Sequence, residues 1–205
     1  MKLFPAIVFS LLLVSAPFYS QSKEDWLRES KAAQQKLNET FTNPETTVLL
    51  PEDFKDFTGL EFYPVSEKFI VEAEFIRTPD EKPFLMPTNT ARTPEYVKFA
   101  EAHFRINDSS FVLNIFKNVE ISALPEYEDY LFLPFTDLTS GDGTYGGGRY
   151  MDLKTPEGNR IILDFNKAYN PYCVYNPGYS CPIPPKENDL PIRIEAGVKD
   201  FQPVY

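Results

Sequence analysis

The stretch Tyr96-Val97-Lys98-Phe99-Ala100-Glu101-Ala102-His103-Phe104-Arg105-Ile106-Asn107-Asp108-Ser109-Ser110-Phe111-Val112-Leu113-Asn114-Ile115-Phe116 decides the fold class. Tyr96, Ala100, Ala102, Phe104 and Ile106 fall on one side of a period-two pattern, with Val97, Phe99 and Glu101 opposite. A strand with one buried face reads this way. Asn107-Asp108 is a turn pair, and residues 111–116 return as the second arm of a hairpin. His103, the sole histidine, lies between Glu101 and Arg105 on the outward side.

Working outward, the same kind of pattern recurs. Phe69, Val71, Ala73 and Phe75 share one face of a strand expected over residues 68–76. Residues 60–65, 131–135, 148–153, 160–165 and 190–196 supply further short strand signals, and Pro156-Glu157-Gly158-Asn159 is a turn between two of them. No strand–helix–strand alternation occurs. The expected fold is therefore mostly β, an antiparallel sandwich or open barrel, with a β body over about residues 58–205. Ahead of it, residues 23–41 read as one N-terminal helix. Trp26, Ser30, Ala33 and Leu37 form its stripe, Ser22 and Asp25 suit a capping box, and Asn43-Pro44 ends it.

Residues 1–21 have a different character. Lys2 is followed by an apolar run to Phe18, broken by Pro17, with no further charge before Lys23. This is the pattern of a secretory signal peptide, too short to span a bilayer in comfort. Cleavage near Ser20 would leave residues 22–205 as a single β-rich domain, exported to the periplasm or the medium, with no stable membrane span. The whole chain carries a formal net charge of −10. An acidic surface repels phosphate backbones, which argues against a nucleic-acid partner. Two cysteines and one histidine are too few for a four-ligand Cys/His zinc centre, and no metal site is expected. Cys173 and Cys181 could close a disulfide in an oxidising compartment.

Two segments could carry chemistry. In residues 136–150 five glycines fall within eight positions, Gly141 to Gly148, and Arg149 follows. Glycines let backbone N–H groups converge on an anion, and a guanidinium offers a planar set of donors. No Lys-Ser/Thr follows, so this is not a nucleotide P-loop. Residues 164–188 hold two Asn-Pro pairs among tyrosines and prolines, a stiffened loop able to hold polar groups at low entropic cost.

These same residues carry a resemblance. Phe132-Leu133-Pro134-Phe135-Thr136-Asp137, Thr139-Ser140-Gly141 and the run from Thr144-Tyr145-Gly146-Gly147-Gly148-Arg149 to Leu153 resemble the signature of the bacterial family catalogued as domain of unknown function 1684 (DUF1684). The block Leu163 to Pro171, with Cys173, Tyr175-Asn176-Pro177, Cys181-Pro182 and Glu187-Asn188, is similar to its C-terminal part. The resemblance implies no assigned activity. It also implies relatives without a signal peptide that keep the cysteine block, so it does not make a disulfide the sole role of that pair.

The expectation is a small polar or anionic ligand bound between the two loops by Tyr145, Arg149, Asn166, Tyr169, Asn170, Tyr175 and Asn176. A hydrolase or lyase using Asp164 or Glu187 as base and Arg149 as electrostatic stabiliser is the alternative; an envelope structural or interaction protein is another. The sequence implies no particular cofactor. A Ser-His-Asp arrangement is disfavoured, because no Gly-x-Ser-x-Gly elbow occurs.

Overall fold

A computed structural model describes residues 22–201. The expected signal peptide and its cleavage point lie outside the described residues. The chain opens with α1, Lys23–Thr42, whose Ser22 and Asp25 form the expected reciprocal capping box. A second, one-turn helix α2, Pro51–Phe54, was not expected from the sequence. Eight strands follow: β1 Ile70–Arg77, β2 Phe84–Leu85, β3 Glu95–Ile106, β4 Ser109–Asn118, β5 Tyr130–Asp137, β6 Arg149–Lys154, β7 Arg160–Asp164 and β8 Asp189–Leu190. Among the described residues no helix is long and apolar enough to cross a membrane.

The strands form one sheet in the order β6-β5-β4-β3-β1-β7, with β2 beside β3 and β8 parallel to β5. The sheet curls into an antiparallel half-barrel, so the open-barrel expectation holds rather than the sandwich. Its concave face is apolar: Val71, Ala73 and Phe75 of β1 meet Ala102, Phe104, Leu113, Ile115, Leu131, Leu133 and Phe135 in one cluster. The convex face carries a second cluster of Met86, Tyr96, Phe116, Phe132, Tyr150 and Cys181. The proline-rich segment crosses that face and covers it.

β3 departs from simple alternation. Its register against β4 shifts between Lys98 and Ala100. A β-bulge of this kind adds one residue and reverses which face later side chains take. Tyr96 therefore packs on the convex face and Ala100 on the concave one, although the sequence pattern placed them together. At the hairpin tip Asn107 has φ 53°. Asn tolerates this left-handed backbone and β-branched residues do not. Asn107→Gly should keep wild-type stability and Asn107→Val should lose about 1–2 kcal/mol, read from urea unfolding.

Two expected strands are not formed. Residues 60–65 are extended but pair only through the isolated bridge Phe62–Val198. Residues 190–196 leave the ladder after Leu190, because Pro191 has no N–H to donate and the next groups bond elsewhere. The N–H of Ile194 donates to Asp137 Oδ2 at 2.6 Å, and Ile192 O accepts from the Leu138 N–H at 3.0 Å.

Helix α1 docks beside the end of β7. The Ser30 hydroxyl donates to Asp164 Oδ2 at 2.7 Å and Gln34 Nε2 to Asn166 O at 2.9 Å. The stripe read from the sequence thus faces the half-barrel, with Ser30 and Phe41 buried.

Candidate functional site

The Gly-rich loop and the proline-rich loop are neighbours. Tyr150 and Tyr169 exchange backbone hydrogen bonds at 2.9 and 3.0 Å, and the Tyr150 hydroxyl donates to Pro182 O. Gly148 lies against both: a Cβ there would come 2.5 Å from Phe135 O and 2.9 Å from Pro184 Cγ. The glycine serves close packing of one loop on the other, at φ 90°.

Arg149 has no exposed surface. Its Nη2 donates to Ile194 O at 2.9 Å and lies 3.3 Å from Asp137 Oδ1, and Nη1 donates to Ala196 O. The Thr139 hydroxyl donates to Asp137 at 2.9 Å. Burial pushes the guanidinium below its ordinary pKa, and Asp137 beside it pulls the other way. A buried charge needs such a partner. Asp137 is that partner, and the group Arg149 serves is the chain itself. Arg149 is a strut between the Gly-rich loop and the C-terminal segment, and its terminal nitrogens are spent on protein oxygens.

Most other expected site residues brace the backbone. Asp164 accepts from Ser30 and from both the N–H and Nδ2 of Asn166, and it forms an ion pair with Lys167 at 3.3 Å. Asn166 is buried and clips Ser66 through Oδ1 and Nδ2 at 2.9 and 3.0 Å. Asn176 Oδ1 accepts the Gly178 N–H at 2.9 Å, a turn within its own loop. Tyr145 lies against Gly147, and burial, with the two nearby thiols adding to it, raises its hydroxyl pKa. Tyr169 donates to Asp152 Oδ1 at 2.7 Å, as does Tyr130. Burial first and the Asp152 charge second raise the pKa of both tyrosines. Glu187 is exposed. The structure therefore does not gather Asp164, Glu187 and Arg149 into one cleft.

Tyr175 lines an open cleft of about 240 Å3. Asn170 positions it, donating from Nδ2 to the Tyr175 hydroxyl at 3.1 Å and to Lys199 O at 2.9 Å. Asn170 Oδ1 is buried without a partner. Tyr175 packs on Phe41 and Phe201, with ring centroids 4.6 and 4.9 Å away, and Phe57 joins Phe201 at 6.4 Å. The part-buried Phe57 and Phe201 form the aromatic wall, with the buried Tyr175 ring behind them. The rim carries Asp53, Asp56, Glu61 and Asp200 against one cation, Lys199. Lys199 Nζ lies 3.7 Å from Glu61. The Asp200 N–H donates to Gly143 O at 3.1 Å, which ties this wall to the Gly-rich loop. Sequence reasoning singled out Tyr175 alone of these residues. Asp53 comes from α2, Asp56 and Phe57 from the segment just after it, and Asp200 and Phe201 from a stretch far along the chain, with no shared motif.

Cys173 and Cys181 are free thiols in the structure. They lie side by side, with the Cys173 N–H donating to Cys181 Sγ at 3.2 Å.

Comparison with known proteins bears on both blocks of the resemblance. Residues 55–199 match the family described as a protein of unknown function, DUF1684. The chain belongs to the DUF1684 family. A solved relative is an uncharacterised protein of Haloarcula marismortui, determined by solution NMR; it is 31% identical, with a TM-score of 0.67, over 86% of this chain and 95% of that one. None of the curated proteins compared matches the sequence. The DUF1684 match takes in the Gly-rich loop, the Arg149 network and the cysteine pair, as well as most of the cleft, from Asp56 to Lys199. The solved relative is archaeal, whereas the resemblance read from the sequence was to bacterial proteins.

Proposed function

We propose that this DUF1684 protein is an exported binding domain for a small organic cation. The observation that carries the reading is the cleft beside Tyr175, where an aromatic wall meets four carboxylates and a single lysine. Aromatic faces attract cations by roughly 0.5–2 kcal/mol each, depending on desolvation. The carboxylates add a field that gathers positive ligands and repels anions. The sign of the ligand differs from the small anion expected from the sequence, because Arg149, the charge behind that expectation, is locked into the core.

Thermal unfolding with tetramethylammonium, choline and spermidine, set against phosphate and citrate, tests the reading. At a hundredfold excess over Kd a ligand adds about 2.7 kcal/mol. For a domain of this size that is a Tm rise of roughly 5–10 °C. The cations should give this rise and the anions none, and Asp53→Asn/Asp56→Asn should abolish it. Stabilisation by anions, or by cations equally in the double variant, would overturn the assignment. Export rests on the apolar run and Lys2 of residues 1–21. Amino-terminal sequencing of the protein from a fractionated bacterial host should start near Ser22.

A further inference from the structure

We propose that Cys173 and Cys181 form a reversible dithiol–disulfide couple that exchanges with small disulfides while the protein stays folded. The observation is their arrangement as two free, neighbouring thiols held from both sides by backbone contacts. Cys173 sits on a single 3-10 turn, Tyr172–Val174, and is part-exposed. Cys181 is buried, and its main chain is clamped: its N–H donates to Asn89 Oδ1 at 2.7 Å and its carbonyl accepts the Asn89 N–H at 3.1 Å. The clamp matters because the two residues are eight apart in sequence, and a loose loop would spend entropy on each closure. Here the thiols meet before any bond forms.

The proton between them is placed for exchange. Cys173 donates to Cys181, which draws the Cys181 thiol down to about 7; the Cys173 thiol is raised, by that hydrogen bond first and burial second. A thiolate is the attacking species in exchange. An incoming disulfide RSSR meets the more exposed Cys173. Its proton passes to the Cys181 thiolate as the Cys173 sulfur attacks, forming Cys173–S–SR and releasing RS⁻, which takes a proton from solvent. Cys181 then loses its proton to solvent and attacks the Cys173 sulfur, which breaks the mixed disulfide and releases the second RS⁻. Two electrons pass from the pair to RSSR, and two thiols RSH result. The reading is independent of what the cleft binds.

The test is equilibration of the folded protein in mixtures of reduced and oxidised glutathione, followed by acid quench, maleimide capture and intact-mass measurement. The expected result is loss of both thiols in one step with a mass loss of two hydrogens. The oxidised-to-reduced ratio should fall about tenfold for each tenfold rise in the ratio of squared glutathione to glutathione disulfide, as a two-electron couple requires. Cys173→Ser should slow the reaction of Cys181 at least tenfold, because its entry point is gone. Three outcomes would overturn the proposal: stable mixed disulfides on the wild type, thiols that react only on unfolding, or a bridge that excess reduced glutathione cannot open in the native state.

Discussion

Asp137→Ala should lower the unfolding free energy by about 3–5 kcal/mol, the range for removing one partner of a buried ion pair. The substitution leaves the Arg149 guanidinium inside the protein with two carbonyls and the Thr139 hydroxyl to hold it, and it frees the Ile194 N–H, which donates to Asp137 at 2.6 Å. Natural domains have only about 5–15 kcal/mol in hand, so the variant should sit near the edge of folding. Urea denaturation measures the loss directly. Arg149→Met should cost a similar amount, and the double variant much less than the two losses combined, since the residues belong to one network. A loss below about 1 kcal/mol for Asp137→Ala would match a solvent-screened surface pair instead.

The second large effect is expected at Gly197. Its φ is 74°, a region that costs other residues about 1–3 kcal/mol. A Cβ there would lie 2.5 Å from Ala168 O and 2.9 Å from Phe165 O, both main-chain atoms that cannot swing aside. Gly197→Ala should therefore destabilise by about 2–4 kcal/mol. It should also weaken cation binding, because Val198 to Phe201 continue from it into the cleft wall. Gly158 supplies the control: a Cβ there meets nothing within 4 Å, and Gly158→Ala should leave Tm and binding unchanged.

The parts of the fold that were legible in the sequence are those whose neighbours are periodic. The β3–β4 hairpin and the face Phe69, Val71, Ala73 and Phe75 announce themselves by alternation, since each strand buries one side. Tyr96 was misplaced because a bulge is one extra residue, and period two carries no sign of it. Residues 190–196 carry a strand signal, yet past Leu190 the Ile194 main chain bonds to the Asp137 and Arg149 side chains. Side-chain partners of a main chain leave no periodic trace.

The candidate site was legible only in part, for a related reason. Glycines before an arginine suggest an anion cradle, and close packing makes the same demand of the backbone. Here Gly148 serves the contact with Phe135 and Pro184. The cleft is assembled from residues 53–61, Tyr175 and residues 198–201. Each piece is ordinary alone, and proximity in the fold makes them a site.

The strut has a consequence for the order of events when the chain is made. Arg149 is made before its acceptors Ile194 O and Ala196 O, which lie 45 and 47 residues further along the chain. Until those residues leave the ribosome, the guanidinium has only Asp137 and Thr139 to replace the water it must shed. Sealing the half-barrel over an unsatisfied cation is costly, so closure waits for residues 194–196. The delay works as a timer, and its setting is the length of chain between Arg149 and Ala196.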